Sequence, residues 1–328
     1  MKKFLIIRLS SLGDIVHTIP AFAALRRAEP DARISWVVSA KGREILELVE
    51  GLDEIIVTGE PAWRKSLRER DRVTLDFQGL IKSAGVGRLS GARRRLGFSS
   101  ENLREPAARF FYTEKAEPIS EDGHVILKNL KLLELLGLRD NHVRFPLSIP
   151  EGIRVLVRSR LEEAGWSRGR PLVIFNVGAG WPTKRWFSNR WIETLRGLDR
   201  PDAFPVLLWG NEEERRIAAA IGLAAATPVL PFFSVRETFA LLKEAAVLVS
   251  GDTFALQAAG AVGLPTVAIF GPTNPRRNGP FTAKDRVAYH ELPCGCCYRR
   301  KCPNLKCLDA VTVEEVVRAV QDVLSGHE

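Results

Sequence analysis

Short apolar runs alternate with helix-like stretches along this chain, and the alternation runs through twice. In the first half the strand candidates are FLIIRL (4–9), RISWVVS (33–39), DEIIVTG (53–59) and RVTLDFQG (72–79). Between them lie amphipathic stretches such as IVHTIPAFAALRRAEP (15–30) and AKGREILELVEG (40–51). Such alternation calls for parallel strands joined by right-handed helical crossovers. A long helix over 124–138 closes this half, and FPLSIPEG (145–152), with two prolines and a glycine, reads as a linker. After a helix at 153–165 the pattern restarts, with strands at PLVIFNVG (171–178), PVLLWG (205–210), TPVLPF (227–232), VLVSGD (247–252) and TVAIFG (266–271). Helices at 211–222 and 234–246 fall between them. The expected fold is α/β: two Rossmann-like, doubly wound domains, 1–150 and 151–328, facing a cleft. A final helix starts at the capping box of Thr312 and Glu315. It either stays with the second domain or packs back on the first.

The bulk numbers narrow the class. Over 328 residues, 45% hydrophobic and 27% charged is ordinary globular composition, which excludes disordered and fibrous chains. No uninterrupted apolar run reaches the roughly 18 residues of a membrane-spanning helix. The opening MKKFLII has too short an apolar stretch for a secretory core and reads as a buried first strand, so the expected location is cytoplasmic. Lys plus Arg outnumber Asp plus Glu by 48 to 39, a net charge of +9 that favours anionic partners. The basic residues are dispersed and no nucleic-acid reader motif is present, which argues against nucleic acid.

Chemistry is expected in the turns that follow the strands, because ligands of doubly wound sheets bind outside the carboxyl ends of the strands. In RLSSLGDIVHTIPA (8–21) a strand ends, a turn containing Gly13 follows, and a helix begins after Asp14. Asp14 is either the cap of that helix or a carboxylate held rigidly as a general base. Ser10 and Ser11 either donate to substrate or satisfy the turn. In FNVGAGWPTKRWFSNRW (175–191), Lys184 is either a solvated lysine or a phosphate ligand, and the tryptophans fit a core. In VLVSGDTFALQAAG (247–260), Asp252 and Thr253 precede a helix whose free amides can bind phosphate, unless Asp252 only caps it. In WGNEEERR (209–216) the acidic first turn suits the helix dipole, and a carboxylate there can also bind ribose. All five cysteines lie between Cys294 and Cys307. Cys294, Cys297, Cys302 and Cys307 have the spacing C-x2-C-x4-C-x4-C, which fits either a zinc or iron site or a reduced thiol cluster.

Taken together, SSLGDIVHTIPA (10–21), DFQGLIKSA (76–84), REPAARFFY (104–112), PTKRW (182–186), GDT (251–253) and FGPTNP (270–275) resemble glycosyltransferase family 9, the bacterial heptosyltransferases. The resemblance covers nearly the whole chain. It implies a GT-B type transferase with an inverting mechanism and no required cofactor, although magnesium stimulation is compatible with it. The implied donor is ADP-L-glycero-D-manno-heptose, and the implied acceptor is a Kdo-bearing lipid A core, met at the cytoplasmic face of the inner membrane.

Residue by residue, Asp14 matches the family's catalytic aspartate and Lys184 its donor-site lysine. Glu212 matches a ribose-binding acid. Asp252 and Thr253 match the diphosphate turn, with Thr183 and Gln257 beside the donor. Ser10, Ser11, Gly13, Trp63, Arg64, Lys65, Gln78 and Arg104 match positions near the anionic acceptor. Basic clusters such as 93–95 and 63–65 either draw the protein to an anionic membrane or form a solvated face.

The chain departs from the family where D-T-G-x-x-H is usual and this sequence reads D-T-F-A-L-Q. Phe254 adds bulk near the donor, and Gln257 carries no positive charge. Several motifs lean toward the type that adds the first heptose, whereas the cysteine-rich loop looks more like the type that adds the second or like more distant relatives. Two alternatives follow: transfer to another acceptor, either a second core heptose or a protein, and nucleotide-sugar binding without turnover.

Overall fold

The computed structural model describes residues 1–120, 123–198 and 200–326. It separates into two compact units, Met1–Ser148 and Ile149–Glu328, and the boundary falls inside the proline-flanked segment after position 145. No described helix is long and apolar enough to cross a membrane.

The first unit runs β1 (Lys3–Ile7), α1 (Leu12–Ala28), β2 (Arg33–Ser39), α2 (Arg43–Leu46), β3 (Glu54–Thr58), α3 (Trp63–Leu67), β4 (Val73–Asp76), α4 (Ile81–Leu89), β5 (Arg94–Gly97), β6 (Glu114–Lys115) and α5 (Val125–Leu132). Its sheet has the order β3-β2-β1-β4-β5-β6, with parallel pairing throughout. β1 is central, so Leu5, Ile6 and Ile7 are fully buried and its sequence is continuously apolar. The strand order reverses between β1 and β4, the kind of switch point beside which doubly wound sheets bind ligands.

The second unit runs α6 (Glu151–Glu163), β7 (Leu172–Asn176), α7 (Ser188–Gly197), β8 (Phe204–Leu208), α8 (Glu212–Ala225), α9 (Val235–Glu244), β9 (Val247–Gly251), α10 (Phe254–Val262), β10 (Thr266–Ile269), α11 (Pro275–Asn278), β11 (Arg286–Ala288), α12 (Lys306–Asp309) and α13 (Val313–Ser325). Its parallel sheet has the order β11-β10-β9-β7-β8, which reverses between β7 and β9. The core gathers Phe175, Trp186, Trp191, Val249 and Ile269 with Val316, Val320, Val323 and Leu324 of α13. The last helix thus buries Val316, Val320, Val323 and Leu324 in this unit's core.

Two expectations are corrected. The helix expected over 40–51 is only a 3-10 turn, Ala40–Gly42, followed by α2. TPVLPF (227–232) forms no strand: it makes a single bridge, Val229 to Leu207, because Pro228 and Pro231 have no amide to donate to a ladder. The short strands β5, β6 and β11 were not anticipated at all.

Candidate functional site

The turn after β1 is built around Asp14. Helix α1 starts at Leu12, so Ser11, not Asp14, is its N-cap. Asp14 occupies the third helical position, where Oδ2 accepts from the Ser11 amide at 3.1 Å and from Ser11 Oγ at 2.9 Å. Gly13 lies in the first helical turn rather than in a left-handed bend. The second carboxylate oxygen, Oδ1, pairs with Arg8 Nη2 at 2.7 Å. Arg8 is only 8% exposed, and its Nη1 donates to the Phe77 carbonyl beyond β4. Burial raises the Asp14 pKa, but the Arg8 guanidinium, His17 and the Ser11 hydrogen bonds outweigh it and lower the value to about 2. The carboxylate is thus anionic and aimed, with a third of its side-chain surface open.

The turn after β4 supports the same switch point. Asp76 is buried and accepts four hydrogen bonds: from Tyr112 Oη and Ser83 Oγ at 2.8 Å each, from the Gln78 amide at 2.9 Å and from the Gly79 amide at 3.2 Å. Burial pushes its pKa up against these bonds. The loop so fixed lets Gln78 Oε1 accept from the Leu9 amide at 2.8 Å, which ties β4's turn to β1's. Gln78, Ser10, Ser11 and Asp14 are therefore brought to one switch point, with Ser10 and Ser11 exposed. Trp63 packs on the cluster that contains Leu9 and Leu67. Arg64 and Lys65 are exposed on α3, with Arg64 over the Trp63 ring at 5.6 Å, and Arg104 is exposed on its loop.

The second unit's switch point carries a second charged pair. Lys184 Nζ meets Asp252 Oδ2 at 2.6 Å and the Asp252 carbonyl at 3.2 Å. It also lies 4.4 Å from the centre of the Trp181 ring. A Cβ at Gly251 would stand 3.0 Å from the Lys184 carbonyl, so this approach of β7's loop to β9's end depends on glycine. Thr253, not Asp252, caps α10. Asn176 Nδ2 donates to Ser250 Oγ at 2.9 Å and to Thr253 Oγ1 at 3.0 Å, locking the turn. Phe254 does not crowd the turn: its ring packs edge-on against Phe239 of α9 at 5.8 Å. Gln257 is buried, and its Nε2 donates to the Asn278 carbonyl at 2.8 Å.

Other expectations land differently. Glu212 is exposed and pairs with Arg215 at 2.8 Å. The buried acid of that turn is Glu214, whose Oε2 accepts from the Gly210 amide at 2.8 Å; a Cβ at Gly178 would clash with it. Trp186 and Trp191 are core residues, whereas Trp181 is half-buried beside Lys184. Thr183 is buried, and its Oγ1 donates to the Arg299 carbonyl at 2.8 Å.

The four cysteines do not converge as metal ligands. Cys294, Cys297 and Cys302 are exposed and Cys307 is buried. Among the described residues no group of three or more His, Cys, Asp or Glu is placed to hold a metal ion. Their environments also differ: burial pushes the Cys307 thiol up, while the Asn304 and Leu305 amides lower that of Cys302. Of the two alternatives the spacing allowed, the positions of the described cysteines do not fit the zinc or iron site.

Sequence reasoning missed Arg8, Asp76 and Arg300. All three lie inside segments already singled out, 8–21, 76–84 and 294–307, but none of them was picked from its segment.

Comparison with known proteins follows the same lines. A model of glycosyltransferase family 9 (heptosyltransferase) matches residues 62–308. Lipopolysaccharide heptosyltransferase 1 of Pseudomonas aeruginosa is 30% identical over 92% of this chain and 87% of its own length. Among solved structures, a family 9 glycosyl transferase from Veillonella parvula superposes with a TM-score of 0.83 at 22% identity, covering 99% of this chain and 97% of the other. The E. coli heptosyltransferase WaaC with ADP-2-deoxy-2-fluoro heptose gives 0.75 at 22% identity, covering 98% and 99%. At those identities the two structures establish a shared fold.

Proposed function

The chain belongs to glycosyltransferase family 9, the heptosyltransferases, and from that premise we propose that it moves heptose from ADP-heptose to the Kdo-bearing lipid A inner core of lipopolysaccharide. It is a glycosyltransferase enzyme, and its relatives include lipopolysaccharide heptosyltransferases. One observation carries the residue assignment: an aspartate at the first switch point, Asp14, is clamped by Arg8 and held ionised.

In the proposed reaction an acceptor hydroxyl loses its proton to Asp14 as its oxygen attacks the anomeric carbon of the donor. The bond from that carbon to the diphosphate breaks, and its electron pair leaves on ADP. A single displacement inverts the anomeric centre. A carboxylate with so low a pKa is a weak base toward a resting alcohol. It takes the proton only as bond formation makes the hydroxyl acidic, which couples deprotonation to attack. Lys184 stabilises part of the charge that builds on the departing diphosphate. Asp252, Thr253 and the start of α10 hold the phosphates, and Thr183 and Gln257 line the donor side. Glu212 is proposed to reach the ribose from the exposed face of its turn. Ser10, Ser11, Gly13 and Gln78 shape the acceptor side, while Trp63, Arg64, Lys65 and Arg104 attract its carboxylates and phosphates.

The test is heptose transfer from ADP-heptose to Kdo-lipid A. Asp14→Asn keeps the shape and removes the base, with an expected loss of about 10²–10⁴-fold. Unaltered turnover in that variant would remove Asp14 from the mechanism.

The acceptor is a lipid, so we propose peripheral contact with an anionic membrane face. Support comes from α4, whose exposed stripe of Ile81, Lys82, Arg88 and Leu89 mixes apolar and basic groups. The cluster at 93–95 contributes less than its sequence suggests. Arg94 pairs with Glu114, and Arg95 donates to the Phe111 and Ala92 carbonyls.

A further inference from the structure

Two cations share the indole of Trp181. Lys184 Nζ lies 4.4 Å from its centroid and Arg300 Cζ lies 4.7 Å away. Arg300 is distant in sequence and arrives on the cysteine-rich loop. That loop is pinned beside the site at three points: the Tyr298 amide donates to the Pro272 carbonyl at 3.0 Å, the Asn274 amide donates to Tyr298 Oη at 3.4 Å, and Thr183 Oγ1 donates to the Arg299 carbonyl at 2.8 Å.

The charges of the two cations differ in what opposes them. The ammonium of Lys184 is met by the Asp252 carboxylate at 2.6 Å, with both side chains largely buried, so the pair is close to neutral as a unit. Gln257 is uncharged and directed at the Asn278 carbonyl. Arg300 is exposed and has no acidic partner among the described residues, and its N–H donors make no hydrogen bond to them. A diphosphate arriving at a neutral lysine–aspartate pair needs an uncompensated cation to offset the loss of its hydration.

We propose that Arg300 is a donor-binding residue, a stacked guanidinium that supplies the positive charge at the nucleoside diphosphate that Gln257 cannot. This rests on the donor reading above and assigns the cysteine-rich loop a role without a metal: it is the scaffold that carries Arg300 to Trp181. The planar fork of arginine matches two phosphate oxygens at once and stacks on an aromatic face, so lysine is a partial substitute only.

Calorimetric titration of the full chain with ADP and with AMP tests this, using wild type, Arg300→Gln and Arg300→Lys, each with its thermal midpoint. ADP binding is expected to weaken roughly tenfold or more in Arg300→Gln, as for a lost charged hydrogen bond. AMP is expected to lose less than about threefold, and Arg300→Lys to fall between wild type and Arg300→Gln for ADP. The salt dependence of ADP binding is expected to become shallower in Arg300→Gln. ADP affinity within about twofold of wild type in that variant, or equal losses for ADP and AMP, would overturn the proposal while leaving the donor reading intact. Wild-type protein that does not bind ADP would overturn the donor reading and this one with it. Should the thermal midpoint of Arg300→Gln fall, the comparison passes to Arg300→Lys, where undiminished ADP affinity at an unchanged midpoint would overturn the arginine-specific contact.

Discussion

At the scale of single residues, the account turns on how Asp14 is kept charged. Its pKa is held well below the ordinary aspartate range, at about 2, because Arg8, His17 and Ser11 outweigh burial. A depressed carboxylate pKa stabilises the fold above the unfolded value, and that contribution is lost as pH falls through about 2. Transfer is accordingly expected to show no acidic limb from Asp14 anywhere near neutrality. Arg8→Met removes the main counter-charge and leaves burial unopposed by it, so the Asp14 pKa rises and an acidic limb moves upward in the pH–rate profile. Arg8→Lys keeps the charge and partly restores the wild-type profile. A uniformly slower Arg8→Met enzyme with an unmoved profile would make Arg8 merely structural. Asp14 was legible in the sequence because it follows a strand and a small-residue turn. Arg8 was not, since it reads as one more position of FLIIRL, and only the fold reveals its reach to Asp14 and Phe77.

At the scale of elements, both candidate sites lie where a parallel sheet reverses its strand order. In the first unit the turns after β1 and β4 are tied together by Gln78 and Leu9, and Asp76 holds the second turn through four hydrogen bonds. Asp76→Ala would leave two amides and two hydroxyls without their shared acceptor. Denaturant unfolding is expected to show a loss of about 3 kcal/mol, with transfer reduced beyond the loss of folded protein. A loss below about 0.5 kcal/mol would mean that water replaces the carboxylate and the turn is not held by it. Long apolar elements such as β1, β2, β7 and β9 were plain from their residues. β5 was not, because RRLG looks like surface; its arginines are satisfied by Glu114 and by carbonyls at the edge. TPVLPF misled because Val and Leu suggested a strand that its prolines forbid. The cysteine spacing left a metal site and a reduced thiol cluster open, because spacing alone says nothing about which thiols face inward.

At the scale of the whole molecule, two doubly wound units divide the chain, and each presents its charged pair at its own switch point. The net charge of +9 belongs to this scale. Its proposed role is to hold the protein near an anionic lipid surface, with the exposed stripe of α4 and the Arg109–Phe110 pair offering basic and apolar groups together. Co-sedimentation with vesicles containing anionic lipid is expected to fall steeply as salt rises, and to fall at low salt in a Lys82→Glu, Arg88→Glu variant. Salt-independent binding, or an unchanged variant, would remove this surface from the account.

The architecture was readable from periodicity alone, whereas the identity of the sugar came from resemblance and then from family membership. The central claim is therefore chemical, and the most direct measurement is mass spectrometry of the wild-type reaction of ADP-heptose with Kdo-lipid A. The account predicts one heptose added to the acceptor for each ADP released, with the added sugar inverted at its anomeric centre. ADP released without a heptosylated product, or a product that retains the donor's anomeric configuration, would contradict it.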